Sequence, residues 1–133
     1  MTHTAPSSAQ HLLQNAYAAF NARDIASALL AMHPDVEWPN GMEGGVVHGR
    51  DEVRAYWTRQ WGTIDPYVDP VRIDTEDDGQ LIVAVHQIIR DLTGHVVSER
   101  FVEHAYLVED GLIKRMAIRQ AEPGSAPRSS QYS

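Results

Sequence analysis

The chain has 133 residues, a length that fits one domain able to bury a core without a disulfide or a structural metal. It has no cysteine, which excludes disulfides and thiolate metal sites, and its formal net charge of -7 disfavours nucleic acid and anionic membranes as partners. No apolar run approaches the ~18 residues of a membrane span. The N-terminus lacks the basic and apolar segments of a signal peptide, so the expected location is the cytoplasm.

The first half of the chain predicts three helices. Ser7 and Gln10 fit a capping box, and helical spacing of apolar residues continues through "HLLQNAYAAFNA". Asp24 can cap a second helix, "IASALLAMH", which Pro34 would stop. The third helix is predicted in "RDEVRAYWTRQW", with Gly62 at its end. Between the second and third helices we expect a short strand through Trp38, followed by a glycine-rich loop over residues 39–48.

The second half predicts a meander of strands. Four alternating apolar segments are separated by the turn signals "DDG", "DLTG" and "EDG". The predicted strands are "PVRIDTE", "LIVAVHQIIR", "VVSERFVEHAYLV" and "LIKRMAIRQ". Short turns between such segments are typical of antiparallel hairpins. Three helices followed by these strands predict an α+β fold.

Turn geometry assigns the strand residues to two faces. If "EDG" is a three-residue loop with Gly111 left-handed, Val108 lies opposite Leu112 and His104 opposite Met116. The face predicted to meet the helices comprises Val102, His104, Tyr106, Val108, Leu112, Lys114, Met116 and Ile118, with Val83, Val85, Gln87 and Ile89 beside them. The opposite face carries Ala84, Ile88, Val97, Phe101, Ala105, Leu107 and Ile113. No helix remains to cover these apolar residues, so a second copy of the chain is the expected cover.

The inner face carries the polar residues that could perform chemistry. His104 is the sharpest candidate, and it is expected near Gln87, Arg100 and Tyr106. A neutral histidine there could act as a base or hydrogen-bond a ligand, and the alternative is a hydrogen-bonded core histidine. Arg100 could recognise a ligand carboxylate or enolate, or it could lie at the open end of the sheet and reach water.

Aromatic residues are the expected walls of a pocket. Trp38, Trp57 and Tyr17 are typical of a protein core and also of small-molecule pockets, and Met116 is a further candidate. Trp38 leads into the glycine-rich loop and is expected to touch a cavity. The seven histidines form neither an H-x-H nor an H-E-x-x-H pattern, and no phosphate-binding or dinucleotide motif is present. Neither a metal nor a cofactor is therefore expected.

The order of these motifs resembles the nuclear-transport-factor-2-like superfamily, and within it the SnoaL-like proteins. The motifs are a short strand with Trp38, a glycine loop, "GRDEVRAYW" and a meander ending in "HAYLVEDGLIKRM". The resemblance covers about residues 9–120, and the flanking segments 1–8 and 121–133 are expected to be disordered. It implies a cystatin-like cone, in which three N-terminal helices pack on a curved antiparallel sheet that encloses a pocket. It also implies frequent dimerisation through the outer sheet face.

The resemblance to ketosteroid isomerases, members of this superfamily, also assigns residues. Counting back nine residues from Gly49, the position of their aspartate base holds Asn40, an amide that cannot take a proton at neutral pH. Their protonated sheet aspartate corresponds to His104, and their first-helix tyrosine corresponds to Ala16, one residue before Tyr17. The Asp-Arg-Asp constellation of limonene epoxide hydrolases has no clear match.

Two functions follow from this reading. The first is a protein that binds a small, largely apolar or carbonyl-bearing molecule without catalysis, because Asn40 replaces the base. The second is a lyase-, isomerase- or cyclase-type enzyme in which His104 is the general acid or base. In that case Asn40, Gln87 or Arg100 would polarise a carbonyl group of the substrate. A protein-interaction module has less support in the sequence.

Overall fold

Three helices and six strands make up the described part of the chain, residues 8–120 of the computed structural model. The helices are α1 (Ser8–Asn21), α2 (Ile25–Leu30) and α3 (Gly49–Trp61). The strands are β1 (Met32–Pro39), β2 (Val46–His48), β3 (Ile64–Thr75), β4 (Leu81–Asp91), β5 (Val96–Glu109) and β6 (Leu112–Gln120). Of the two segments predicted to be disordered, only Ser8 lies within the described residues. None of the described helices is long and apolar enough to cross a membrane.

The strands form one curved sheet in the order β2-β1-β6-β5-β4-β3. The pairs β1–β2, β3–β4, β4–β5 and β5–β6 are antiparallel, as the hairpin signals predicted. The pair β1–β6 is parallel, so the sheet is mixed rather than wholly antiparallel. The α+β architecture predicted from the sequence is confirmed.

The core lies between the helices and the inner sheet face. It includes Leu13 and Tyr17 of α1, and Val53 and Trp57 of α3, all of which are buried. The sheet contributes Val36, Val68, Leu81, Val83, Val85, Val102, Tyr106, Ile113 and Met116. The apolar residues at helical spacing in the first helix therefore face the sheet, and α3 packs on it in the same way.

The second helix is shorter than predicted because the chain leaves it to join the sheet. Asp24 caps this helix as expected, its side chain accepting a hydrogen bond from the Ser27 amide at 3.2 Å. The prediction extended the helix through His33, whereas Met32 and His33 belong to β1. The carbonyl oxygen of Ala31 accepts a hydrogen bond from the amide of Ile113 at 2.9 Å, which starts the pairing with β6.

The hairpin between β5 and β6 is tighter than predicted. Glu109 pairs with Leu112, so the loop holds two residues, Asp110 and Gly111, whose φ angles are 54° and 76°. Two positive φ angles fit a type I′ turn. Val108 therefore lies opposite Ile113 rather than Leu112, and this shift places Ile113 in the core instead of on the outer face.

A register shift farther along β6 restores the predicted inner face. His104 pairs with Ile118 instead of Met116, and Met116 pairs with Tyr106. Met116 nevertheless lies on the inner face with His104 and Tyr106, as predicted. β4 pairs with β5 as an antiparallel hairpin, as predicted, and Val83 lies opposite His104 and Gln87 opposite Arg100. The register differs by two residues from a hairpin closed by a two-residue "DLTG" turn, so the residues stay on the predicted face.

Candidate functional site

A cavity of about 110 Å³ lies between α1, α3 and the inner sheet face. It is lined by Ala16, Tyr17, Phe20, Met32, Trp38, Pro39, Tyr56, Trp57, Gln60, Pro66, Val68, Gln87, Ile89, His104, Tyr106, Met116 and Ile118. These side chains are mostly apolar or aromatic, and none of them is an acid, a lysine or an arginine. Such a surface favours a neutral ligand, because an ion entering it would lose water without gaining an opposite charge.

Aromatic rings form one wall of this cavity. The rings of Trp38 and Trp57 are perpendicular, with centroids 5.6 Å apart, and Trp38 is 6.4 Å from Tyr106. Trp57 in turn stacks on Trp61 at 5.6 Å and meets Phe20 edge-on at 5.2 Å. The contacts hold Trp38 in place at the end of β1. The aromatic wall is therefore stabilised by further ring contacts.

The polar centre of the cavity is a chain of three hydrogen-bonded side chains. The hydroxyl of Tyr17 lies 2.7 Å from Nδ1 of His104. The hydroxyl of Tyr106 donates to the Tyr17 oxygen at 2.8 Å. α1 supplies Tyr17 and β5 supplies the other two residues, which are two positions apart on the strand and therefore share its inner face.

Burial keeps this centre uncharged. Desolvation lowers the pKa of His104 to about 4, so its imidazole is neutral at pH 7. Desolvation also raises the pKa of Tyr17 and that of Tyr106, so both phenols keep their protons. Because Tyr106 donates to Tyr17, the Tyr17 proton is directed to Nδ1 of His104. The imidazole proton then resides on Nε2.

Among these three hydrogen-bonded side chains, Nε2 of His104 is the atom that can bind a ligand. It has no hydrogen-bond partner among residues 8–120, and His104 lines the cavity. A neutral imidazole whose Nδ1 accepts a hydrogen bond offers an N–H donor at Nε2. Such a donor suits a carbonyl or ether oxygen.

A second polar pair lies on α3. The oxygen of Tyr56 accepts hydrogen bonds from the Gly41 amide and from Nε2 of Gln60, each at 3.1 Å. Both side chains line the cavity. Gln87 lines it as well, and its side-chain amide has no partner among the described residues.

The structure brings seven of the predicted site residues to this cavity. They are Tyr17, Trp38, Trp57, Gln87, His104, Tyr106 and Met116. The family's tyrosine position fell on Ala16, but it is the next residue, Tyr17, whose hydroxyl reaches His104. Ala16 contributes only its methyl surface to the cavity.

Asn40 and Arg100, which were also predicted to contact a ligand, lie outside the cavity lining. Asn40 is buried, but Oδ1 accepts hydrogen bonds from the amides of Met42 and Glu43, and Nδ2 donates to the Glu43 carboxylate. Its amide therefore closes the glycine-rich loop instead of facing the cavity. Arg100 lies opposite Gln87 in the first half of β5 and is exposed to water, as in the second of the two readings of this residue.

Sequence reasoning missed several lining residues. Tyr56 and Gln60 lie four residues apart on α3, and this spacing places them on one face of the helix. The spacing is visible in the sequence, but the predicted pocket residues of this region were the tryptophans. Pro66 and Val68 were missed because β3 begins at Ile64, six residues before the predicted strand.

A group of possible metal ligands lies apart from the cavity. The ligand atoms of His33, Glu109 and Asp110 come within 4.8 Å of one another at the start of β1 and the β5–β6 turn. Nδ1 of His33 already accepts a hydrogen bond from the Asp35 amide at 3.0 Å. None of the three lines the cavity.

The fold and the cavity together define an α+β cone with an internal aromatic pocket. The chain belongs to the SnoaL-like domain family, whose model matches residues 13–116. No curated protein matches the chain.

Solved structures share this fold over most of its length. TerC, crystallised with polyporic acid, is 25% identical with a TM-score of 0.76, over 86% of this chain and 92% of TerC. An NTF2-like protein of unknown function from Burkholderia pseudomallei is 24% identical with a TM-score of 0.76, over 87% and 92% of the two chains. A Mycobacterium tuberculosis protein in complex with estradiol-17beta-hemisuccinate is 20% identical with a TM-score of 0.72, over 84% and 92%.

Proposed function

We propose that the protein binds a small, largely apolar molecule in the cavity and orients it through a hydrogen bond to His104. The observation that carries this proposal is an uncharged, aromatic-walled cavity in which Nε2 of a neutral histidine has no partner among residues 8–120. Apolar cavities with a few placed polar groups are the usual form of small-molecule sites. Two proteins of similar fold support it, since TerC was co-crystallised with polyporic acid and the Mycobacterium tuberculosis protein is in complex with estradiol-17beta-hemisuccinate.

The size of the cavity sets the scale of the ligand. An engineered apolar cavity of about 150 Å³ in another protein binds benzene. A cavity of about 110 Å³ therefore suits a single ring or a chain of similar size. A larger ligand would have to extend beyond it or displace a wall.

The first experiment is native mass spectrometry of the purified protein, followed by denaturing extraction and titration with cyclohexanone and phenol. We expect bound material or measurable affinity. His104→Gln should weaken binding about 5- to 10-fold, the value of one hydrogen bond. His95→Gln is the matched control, because His95 is exposed in the β4–β5 turn. An empty protein that binds neither probe would overturn the proposal.

A second candidate function is a lyase-, isomerase- or cyclase-type enzyme. The chain from Tyr106 through Tyr17 to His104 favours it: Nε2 can donate its proton to a substrate while Nδ1 takes the Tyr17 proton and Tyr17 takes the Tyr106 proton, and the reverse transfer restores the neutral imidazole. With a pKa of about 4, His104 would place the limb of a pH–rate profile near pH 4 rather than near 6.5. An active His104→Gln variant would eliminate this mechanism.

We also propose a homodimer formed through the outer face of the sheet. Tyr67 on β3 is 45% exposed there and Val97 on β5 is 59% exposed. Ile88, Phe101 and Leu107 are partly exposed on neighbouring positions. The face is less open than the sequence suggested, since Ala84, Ala105 and Ile113 are already buried within the chain. The cytoplasmic location and the absence of a nucleic-acid partner stay predictions from sequence.

A further inference from the structure

The hydroxyl group of Tyr56 is a candidate for a second hydrogen bond to the ligand. Its oxygen accepts two hydrogen bonds, from the Gly41 amide and from Nε2 of Gln60. Burial raises the pKa of Tyr56, so the hydroxyl keeps its proton. That proton has no acceptor among residues 8–120, although the side chain is almost fully buried and lines the cavity.

Gln60 supplies a matching acceptor beside this donor. Its Nε2 is held 3.1 Å from the Tyr56 oxygen, which fixes the amide on the wall of the cavity. Its Oε1 has no donor among the described residues. One free donor and one free acceptor therefore lie side by side on neighbouring turns of α3.

This pair matches a hydroxyl group better than other neutral or charged functions. A ligand hydroxyl can accept from Tyr56 and donate to Gln60 at the same time. A ketone or ether could satisfy only Tyr56, and a carboxylate would meet the lone pairs of Gln60 Oε1. A buried polar group left without a partner costs affinity, so a site of this kind discriminates against analogues that lack the hydroxyl.

The pair is separate from the centre at His104. Tyr56 and Gln60 lie on α3, whereas Tyr17, His104 and Tyr106 lie on α1 and β5, and no hydrogen bond links the two groups in the described structure. We infer that the ligand is a single-ring alcohol with a second oxygen, its hydroxyl bound by Tyr56 and Gln60 and its other oxygen by His104. This inference rests on the proposed function and names Tyr56 and Gln60 as specificity-determining residues.

Two probes that differ in one group test the inference. 4-Hydroxycyclohexanone and 4-methylcyclohexanone have similar size, and each carries a ketone for His104. Titration calorimetry of the wild type should show about 5- to 10-fold tighter binding of the hydroxy compound, as expected for one or two net hydrogen bonds. Tyr56→Phe and Gln60→Met should each bring the ratio of the two affinities close to one.

Controls separate recognition from a structural effect. Tyr67→Phe, which removes an exposed hydroxyl on the outer sheet face, should keep the wild-type ratio. His104→Gln should weaken both probes to a similar extent and leave the ratio unchanged. Gln60→Met is included because Gln60 does not bind the glycine-rich loop, whereas Tyr56 does.

The outcomes distinguish this inference from the proposed function. Equal affinity of the wild type for both probes would overturn the inference and leave a binding protein. Loss of affinity for both probes by the same factor in Tyr56→Phe and Gln60→Met would also overturn it. Binding of neither probe would overturn the inference and the proposed function together.

Discussion

At the scale of single residues, buried His104 makes the stability of the protein depend on pH. Its pKa is about 4 in the folded state and about 6.5 in an unfolded chain. The unfolded state therefore binds more protons between these values, so the free energy of unfolding falls as pH drops from 6.5 toward 4. We expect a loss on the order of 3 kcal/mol, measured by urea unfolding at several pH values.

The source of this loss can be isolated with a variant. His104→Gln should show a much flatter profile between pH 6.5 and 4, whereas His95→Gln should follow the wild type. Exposed carboxylates whose pKa values are lowered by hydrogen bonds, such as Asp24 and Asp91, lose their contribution only near and below pH 4. An unchanged slope in His104→Gln would show that His104 does not titrate in this way.

The sequence predicted the polar residues at the centre of the cavity better than those farther from His104. His104 and Tyr106 were found because strand alternation fixes the face of a side chain once one neighbour is known to be buried. Asn40 was expected at the cavity but lies outside its lining, because sequence position does not show where an amide points and local hydrogen bonds hold this one against the loop. Tyr56 was missed because its role depends on contacts with a loop and with Gln60 that only the folded chain brings together.

At the scale of elements, Asn21 joins the end of α1 to the edge strand β3. Its Nδ2 donates to the Val68 carbonyl at 2.7 Å, and its Oδ1 accepts from the Val68 amide at 3.0 Å. Edge strands leave such backbone groups without a partner in the sheet. Asn21→Ala would leave the backbone amide and carbonyl of Val68 without this partner, so we expect a loss of about 1–3 kcal/mol in the free energy of unfolding.

The consequence should extend to the cavity, because Tyr17 lies one turn earlier on α1. Asn21→Ala should therefore also weaken binding of cyclohexanone, in the same titration that tests His104. Asn15→Ala is the matched control, since Asn15 is exposed on the same helix and should change stability by no more than about 0.5 kcal/mol. Equal stability of the two variants would contradict the role of Asn21.

Elements with strong local signals were predicted well, and those that depend on distant pairing were not. β6 has the bounds that its alternating pattern predicted, and Asp24 caps α2 through its side chain. Gly62 ends α3 as predicted, although its φ of -83° is one that any residue can adopt. β2 has only three residues and forms by pairing with β1 across the glycine-rich loop. The parallel contact of β1 with β6 joins segments about 80 residues apart, and no local pattern reports it.

At the scale of the whole molecule, the proposed dimer depends on the outer face of the sheet. Apolar side chains that remain exposed on this face would be buried by a second copy, and a twofold interface needs only one such patch on each chain. Light scattering after gel filtration should give twice the chain mass of 14.8 kDa. A wild-type protein that elutes as a monomer at micromolar concentration would contradict the proposal.

A charge placed on this face should separate the copies without unfolding either one. Tyr67→Glu puts a carboxylate on β3 where the side chain is 45% exposed, so its cost in the isolated chain is small but its burial in an interface is large. We expect a monomer with an unchanged circular dichroism spectrum. Leu92→Glu, at a position 60% exposed in the β4–β5 turn, should remain dimeric. Because the cavity is lined within one chain, the monomeric variant should bind cyclohexanone as the dimer does, which would place dimerisation outside ligand recognition.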